Sequence, residues 1–398
     1  MLFDYFKRKH QQNLPDHLNH ILKEYQKSRW IDPAFKNKIC YAPYTAMNFD
    51  QTGNITVCCY NRNKILGHYP GQTIAEAWNN TNRADIMASL EKYDFSCGCD
   101  FCLDSIETGA ISSALLNYYD EFHKDINKDG SPSVFTFEIN NICNLECIMC
   151  GGNWSSAIRQ NREGIPALKS PYDDAFVKQV RDYIPSLKTM NFLGGEPFLI
   201  PLYFHIWEDI AEINKEIRVN ITSNGTILNE KAKYVIHNLL NCRISLSIDS
   251  LDPKNYEYIR KNASFNILMQ NIEWLLEEKK LVSLSVCPMI QNWHDIPDII
   301  RFCENNNLDI YFNYVFQALG ENIIGIHTNG IKTFIGNSDD SLFKPRPLPE
   351  LIPEFSLNNA PVELLNKIVT YYDKFEFDKK YQLQFDHLKN YIRLQMKH

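Results

Sequence analysis

The chain has 398 residues, of which 44% are hydrophobic and 13% aromatic, so it contains enough apolar material for a large packed core. This composition excludes a disordered or fibrous protein, and the length predicts two domains or one large fold with an added module. The 41 lysines and arginines against 48 acidic residues give a net charge of −7, which provides no basic surface for nucleic acid or an anionic membrane.

The first ten residues carry charges where a secretion signal needs an apolar stretch. No apolar run in the sequence approaches the roughly 20 residues that span a bilayer. We therefore expect a cytoplasmic protein without a membrane partner. In that reducing compartment, twelve cysteines favour metal ligation over disulfides, so the spacing of the cysteines is the main clue to function.

A predicted helix over 18–29 is followed by six cysteines between residues 40 and 102. Residues 49–57 are typical of a hairpin, which would bring two of these cysteines together, and a C-x2-C pair would provide two more thiolates. Such a set would bind an iron-sulfur cluster completely, although a zinc ribbon is the alternative. Either Cys59 or Cys97 could replace a neighbour. The four predicted ligands are Cys40, Cys58, Cys99 and Cys102.

A connecting helix is predicted near 105–123, and from about residue 133 strand and helix patterns alternate. Strands are predicted at 134–139, 188–193, 217–222, 242–248, 281–288 and 309–314. Helices are predicted at 173–183, 201–214, 229–238, 265–280 and 295–306. Strict alternation indicates an α/β fold with a parallel sheet and right-handed crossovers, and six units are too few for a closed eight-stranded barrel. Beyond the alternation we predict an extended linker at 344–349 and helices within 361–396.

Cys143, Cys147 and Cys150 have the spacing C-x3-C-x2-C directly after the first predicted strand of the alternating region. Three thiolates on one short loop can bind three irons of a four-iron cluster and leave the fourth iron without a protein ligand. Zinc is a weak alternative because structural zinc sites take four ligands, usually in two pairs, and no fourth ligand lies conveniently near in the sequence.

This motif resembles that of the radical S-adenosylmethionine (SAM) superfamily, whose cluster loop follows the first strand of a partial (β/α)6 barrel. The segments Gly194-Gly195-Glu196-Pro197, Thr222-Ser223-Asn224-Gly225 and Ser245-Leu246-Ser247-Ile248-Asp249 follow in the family's order. The resemblance implies a [4Fe-4S] cluster with an open iron, and bound SAM. Of the implied SAM contacts, Asp249 and Arg260 could equally be a helix cap or a solvated charge, and Met149 stands where many members have an aromatic residue. These contacts are Met149, Gly194, Gly195, Glu196, Ser223, Asn224, Ser247, Asp249 and Arg260.

The N-terminal cysteine block resembles the SPASM and shorter twitch modules, which hold an auxiliary [4Fe-4S] cluster. In most members this module follows the barrel, whereas here it precedes the barrel. The resemblance therefore implies four regions: an N-terminal helix at 1–35, a twitch-like module at 36–125, a radical SAM partial barrel at 126–320, and a C-terminal linker with helices at 321–398.

The resemblance implies an enzyme that cleaves SAM to a 5′-deoxyadenosyl radical with an electron from a reductant such as flavodoxin or ferredoxin. Peptide-maturing members commonly carry auxiliary modules, so oxidative modification of a peptide is the leading expectation. A dehydrogenase or epimerase of a small sugar-like or alcohol substrate is the alternative. A protein of another class, a non-catalytic iron-sulfur electron carrier or a zinc-stapled binding protein, would lack a SAM pocket.

Overall fold

A computed structural model describes residues 20, 22–23, 25–27, 29–107, 115–313, 356–357 and 360–396. These residues form one sheet, in which the strands are ordered β3-β2-β1-β4-β5-β6-β7-β8-β9. The strands are Ala46–Phe49 (β1), Asn54–Thr56 (β2), Gly67–His68 (β3), Val134–Phe137 (β4), Thr189–Phe192 (β5), Arg218–Ser223 (β6), Cys242–Ser247 (β7), Leu281–Val286 (β8) and Asp309–Phe312 (β9).

Strands β4 to β9 are the six predicted strands, and each pairs in parallel with the next. Helices connect them in sequence, which confirms the predicted α/β class of a partial barrel. The helices of this region are Ser156–Asn161, Asp174–Tyr183, Pro201–Ile213, Glu230–Asn238, Pro253–Ile259, Phe265–Glu277 and Ile296–Asn306.

Residues along the barrel strands alternate between an apolar outer face and a polar inner face. Phe135 and Phe192 face outward, where their rings lie 5.4 Å from the helix residues Tyr183 and Trp207 respectively. Thr136 and Asn191 stand one residue along from these phenylalanines and therefore face the opposite side. The helices bury the outer face, so the core of the protein lies between the sheet and its helices.

The N-terminal region adds its strands to the barrel sheet. Strands β1 and β2 form the predicted hairpin, and β1 also pairs in parallel with β4 over its full length, from Ala46 opposite Val134 to Phe49 opposite Phe137. The sequence did not predict this pairing. The region also contains the helices Ala42–Thr45, Ile74–Trp78, Thr81–Glu91, Asp100–Glu107 and Leu116–Tyr119 and the 3-10 turns Pro33–Phe35 and Asp120–Phe122.

Of the predicted helix over 18–29, residues 20, 22–23 and 25–27 are helical in the described part. The predicted helix over 105–123 is not one described helix, because it covers the end of Asp100–Glu107, the helix Leu116–Tyr119 and the turn Asp120–Phe122, while 108–114 lie outside the described residues. The C-terminal helices Val362–Tyr372 and Lys379–Gln395 confirm those predicted in 361–396. The predicted linker at 344–349 lies outside the described residues. Within the described ranges, we find no helix that combines the length and apolar character needed to cross a bilayer.

Candidate functional site

The three cysteines of the C-x3-C-x2-C motif lie on the loop after β4. Cys147 is buried, whereas Cys143 and Cys150 are partly exposed. Burial, together with the neighbouring Cys147 and Cys143 thiolates, raises the pKa of Cys150 to about 12. Burial likewise raises the pKa of Cys143 to about 11. Burial therefore favours the protonated thiols, and metal binding would release their protons.

The segment after the helix Pro253–Ile259 supports this cysteine loop. The backbone N–H groups of Glu146 and Ile148 donate to the carbonyls of Lys261 and Ile259, at 3.0 and 2.9 Å. The carboxylate of Glu146 accepts from the Lys261 ammonium at 3.1 Å and from the Asn262 amide at 2.9 Å. Sequence reasoning missed Glu146, because an acidic residue between two cysteines looks the same as a surface charge.

The Gly194-Gly195 segment at the end of β5 packs directly against the cysteine loop. The N–H of Gly195 donates to the Asn140 carbonyl at 3.0 Å. A Cβ atom at Gly194, where φ is +110°, would lie 2.7 Å from the same carbonyl oxygen. At Gly195 it would lie only 2.1 Å from the Ile142 carbonyl oxygen. Both glycines are thus required for the loop and the strand end to approach each other. No observation tests the predicted contact of these glycines with SAM.

Glu196 is completely buried, and its carboxylate joins the ends of β5 and β6. It accepts from the Ser223 hydroxyl at 2.8 Å, from the Asn224 backbone N–H at 2.8 Å and from the Phe198 N–H at 3.2 Å. Burial raises the pKa of Glu196 to about 7, although these donors oppose the shift. The predicted contact of this carboxylate with SAM stays a prediction, and in the structure protein donors surround the carboxylate.

Asn224 extends from this carboxylate to the cysteine loop. Its side-chain amide donates to Asn144 Oδ1 at 3.0 Å and lies 3.9 Å from the Cys143 sulfur. Its own Oδ1 accepts from the backbone N–H and the hydroxyl of Thr226. The predicted residues Glu196, Ser223 and Asn224 are therefore brought together next to the first cysteine of the motif.

Asp249 and Arg260 form a buried ion pair, with 2.8 Å between Arg260 Nη2 and Asp249 Oδ2. The other Asp249 oxygen accepts from the Cys287 backbone N–H at 2.7 Å. Arg260 Nη1 lies 4.0 Å from the Cys147 sulfur, and the charge of Arg260 opposes the rise in the pKa of Cys147 that burial causes. Neither residue is a solvated charge, so the structure rules out that alternative for both.

The remaining predicted SAM contacts lie around the mouth of the barrel. Met149 packs with Ile148 against the buried side chains of Ile259 and Met289, in a small apolar cluster separate from the main core. Ser247 is the last residue of β7 and is partly exposed. An apolar patch and a hydroxyl therefore flank the cysteine loop, which suits a ligand with both an apolar and a polar part.

The inner face of the barrel is lined by amide and hydroxyl side chains. Thr136, Asn191 and Asn220 occupy one register on β4, β5 and β6, and Thr222 pairs with Ser245 on β7. Asn220, Thr222 and Ser245 are partly exposed, so this face is accessible. Closed barrels of this type fill the same positions with bulky branched residues. Polar positions here indicate an interior that receives a polar ligand.

Four cysteines of the N-terminal region line one cavity, together with Tyr119 and Asn61. They are the four predicted ligands, Cys40, Cys58, Cys99 and Cys102. Cys59 and Cys97 are outside the lining of this cavity, and their carbonyls accept hydrogen bonds from Arg62 and Asn61.

Backbone and amide N–H groups point at three of these sulfurs. Ala42 N lies 3.4 Å from Cys40 Sγ, Asn61 N 3.3 Å from Cys58 Sγ, and Asn61 Nδ2 3.5 Å from Cys99 Sγ. Such donors stabilise thiolate ligands of a metal cluster. Within the described ranges, no three or more Cys, His, Asp or Glu side chains are placed to hold a single metal ion.

Comparison with known proteins finds a match for part of the chain. Residues 137–303 match the family model described as the Radical SAM superfamily. Curated relatives include the GTP 3′,8-cyclase of Limosilactobacillus fermentum, 26% identical over 191 residues, which are 46% of this chain and 54% of the relative. Another is the molybdenum cofactor biosynthesis protein moc-5 of Caenorhabditis elegans, 25% identical over 185 residues, which are 45% of this chain and 29% of the relative. The chain spans about half the length of the cyclase from L. fermentum.

Solved structures resemble the chain distantly. Streptococcus suis SuiB bound to S-adenosylmethionine has a TM-score of 0.40 and 16% identity, over 58% of this chain and 56% of that chain. The protein anSMEcpe with bound AdoMet has a TM-score of 0.39 and 15% identity, over 50% of this chain and 58% of that chain. At this similarity the two structures carry no argument about substrate.

The predicted modification of a peptide is wrong. The curated relatives that overturn it are named GTP 3′,8-cyclase, and four of them, from different bacteria, match between 43% and 56% of this chain. The prediction of a peptide rested only on the resemblance of the N-terminal cysteine block to auxiliary modules, and this resemblance does not specify a substrate. The alternative of a non-catalytic protein is also wrong, because the family match and these relatives identify an enzyme.

Proposed function

We propose that this enzyme, whose residues 137–303 match the Radical SAM superfamily model, uses SAM and a [4Fe-4S] cluster to begin a radical reaction on a nucleotide. The observation that carries the proposal is the loop after β4, which holds Cys143, Cys147 and Cys150 and has the Asn224 amide and the Arg260 guanidinium beside two of their sulfurs. Three thiolates bind three irons of a four-iron cluster and leave the fourth iron open to SAM.

The residues around the loop fit such a cluster. Arg260 and Asn224 place N–H donors 4.0 and 3.9 Å from the sulfurs of Cys147 and Cys143, where they would stabilise negative charge on a cluster. Arg260 Nε is buried without a hydrogen-bond partner, so a donor next to the loop is unused. When bound, the cluster supplies the electron that cleaves SAM to the hydrogen-abstracting 5′-deoxyadenosyl radical.

We propose that SAM lies at the barrel mouth, with its apolar part on Met149 and its hydroxyls near Ser247. The geometry supports a different role for Glu196 from direct binding of SAM. Three protein donors already surround its carboxylate, so it holds Asn224 in place beside Cys143. Asp249 acts in the same way, because it fixes the guanidinium of Arg260 beside Cys147.

We propose that the N-terminal region is a twitch-like module with an auxiliary [4Fe-4S] cluster. The cavity lined by Cys40, Cys58, Cys99 and Cys102 supports this ligand set, as do the N–H donors aimed at three of the sulfurs. Four thiolates would satisfy all four irons, so this cluster would have no open position. Zinc bound by the same cysteines is the competing possibility, and analysis of iron and acid-labile sulfide separates the two.

Two observations support a nucleotide as the substrate. The curated relatives are named for a reaction of GTP. The inner face of the barrel presents the amides and hydroxyls of Asn220, Thr222 and Ser245, which suit a base or a ribose. GTP is therefore the first substrate to test. We further propose that flavodoxin or ferredoxin in the cytoplasm supplies the electron.

The experiment is SAM cleavage by anaerobically reconstituted protein with dithionite, SAM and GTP that carries deuterium on its ribose. We expect 5′-deoxyadenosine, and deuterium within it. Cys147→Ala should lower its formation at least 100-fold, whereas Cys242→Ala, a buried cysteine on β7, should leave it unchanged. Full SAM cleavage by Cys147→Ala would contradict the cluster assignment. Cleavage without deuterium transfer would contradict GTP as substrate.

A further inference from the structure

A hydrogen-bond network crosses from the N-terminal region into the barrel. Asn191 on β5 donates its amide to the Tyr118 hydroxyl at 2.8 Å and to Thr136 Oγ1 at 3.0 Å. Asn220 on β6 donates to Asn191 Oδ1 at 2.8 Å. Tyr118 belongs to the helix Leu116–Tyr119, whose next residue, Tyr119, lines the four-cysteine cavity. The network therefore connects the wall of that cavity to the polar inner face.

This network fixes the orientation of the Asn220 amide. Because Nδ2 of Asn220 is directed at Asn191, the carbonyl oxygen Oδ1 must be on the other side of the amide group. Asn220 is partly exposed, and its Oδ1 accepts no hydrogen bond from the described residues. Asn191 itself is buried and forms hydrogen bonds with Tyr118, Thr136 and Asn220. It therefore positions Asn220 and does not contact a substrate.

A charged side chain lies next to the neutral amide of Asn220. Arg243 is directly opposite Asn220 in the pairing of β6 with β7, and it is exposed. It forms no ion pair with any other residue in the described part of the chain. Arg218 also lies on the inner face of β6, but Glu121 pairs with it at 3.0 Å. Arg243 is thus the cation left to meet an anion next to Asn220.

We infer that Asn220 and Arg243 determine substrate specificity: Asn220 accepts a hydrogen bond from the base or ribose of a nucleotide, and Arg243 binds its phosphate. Tyr118 and Asn191 are positioning residues that hold the Asn220 carbonyl toward the substrate. This inference deepens the proposed function and rests on it for the choice of nucleotide. A phosphate and a neutral donor on one molecule match the adjacent guanidinium and amide oxygen.

The test is equilibrium binding of GTP to the anaerobically reconstituted protein, by dialysis, without SAM or reductant. We expect Asn220→Leu to raise the Kd for GTP about tenfold, and Tyr118→Phe, which keeps the ring, to raise it about threefold. Arg243→Met should raise the Kd for GTP about tenfold while leaving the Kd for guanosine unchanged. A positioning role predicts that Tyr118→Phe adds little to Asn220→Leu in the double variant.

Asn238→Leu is the matched control, because Asn238 lies at the end of an outer helix and only caps that helix's own backbone. Its Kd should equal that of the unaltered protein. Unchanged GTP binding in Asn220→Leu and Arg243→Met, or no GTP binding by the unaltered protein, would overturn the inference. Substrate-free formation of 5′-deoxyadenosine is measured alongside. If it is absent while the Kd shifts are as expected, the proposed function fails and the binding site stands.

Discussion

The guanidinium of Arg260 lies 2.8 Å from the carboxylate of Asp249. Through this ion pair, Asp249, which lies just after the end of β7, is connected to the cysteine loop. Both side chains are buried, and Arg260 reaches to 4.0 Å from the sulfur of Cys147. A buried cation is costly unless it is paired, so Asp249 makes it possible for Arg260 to remain beside the sulfur.

Replacing Asp249 should therefore leave an unpaired charge in the protein interior. We expect Asp249→Asn to lower the free energy of unfolding by about 3–5 kcal/mol, measured with urea on the metal-free protein. Glu230→Gln, which removes an exposed partner of Lys233, should change it by less than about 1 kcal/mol. Equal losses of unfolding free energy in the two variants would show that the buried ion pair stabilises the fold no more than the exposed one.

Gly195→Ala tests the contact between the end of β5 and the cysteine loop. The added Cβ would lie 2.1 Å from the Ile142 carbonyl oxygen, so the backbone must move just before the first motif cysteine. We expect loss of about half of the bound iron and of 5′-deoxyadenosine formation. Gly71→Ala is the control, since its Cβ would meet its nearest atom at 3.4 Å, an ordinary contact. Normal iron content in Gly195→Ala would contradict the required close approach.

Iron content also tests the N-terminal ligand set. The two proposed four-iron clusters would together hold about eight irons per chain. We expect Cys102→Ala to reduce this to about four, because Cys102 lines the cavity, and Cys97→Ala to leave it at about eight, because Cys97 does not. The reverse result would mean that Cys97 is the ligand. Zinc bound at the four-cysteine cavity, with only about four irons per chain, would contradict the proposed auxiliary [4Fe-4S] cluster.

His387 in the helix Lys379–Gln395 should make stability depend on pH. Burial lowers the pKa of this imidazole, and its Nδ1 is buried without a hydrogen-bond partner. The unfolded chain therefore binds a proton more readily, so the contribution of His387 to stability is complete above about pH 6.5 and declines as the pH falls below it. We expect His387→Leu to reduce the loss of stability between pH 7 and 5, measured by urea unfolding. His68→Gln, at an exposed histidine of β3, is the control.

The sequence predicted the barrel strands well because their apolar and polar residues alternate. Each of the six was placed within about two residues of its observed bounds, as with 242–248 for Cys242–Ser247. The pairing of β1 with β4 could not be predicted, because it joins residues almost 90 positions apart and leaves no local pattern. For the same reason the sequence did not predict the contact of Tyr118 with Asn191, which lies 73 positions further along the chain.

Residue types in the candidate site were easier to predict than their partners. The motifs indicate Glu196 and Asp249 as site residues, and the structure connects Glu196 directly, and Asp249 through Arg260, to the cysteine loop. Their hydrogen bonds to Asn224 and Cys287, however, depend on side chains from other strands and loops. Motif spacing indicates which strand end a residue occupies, whereas the direction of its carboxylate is decided by long-range packing.

The continuous pairing of β1 with β4 has a mechanical consequence. The backbone ladder, rather than the connecting chain between residues 120 and 133, sets the separation of the two cysteine sites, so neither half can hinge against the other without breaking that ladder. The N-terminal region is therefore anchored at a fixed position beside the barrel by the in-register pairing of its strand β1.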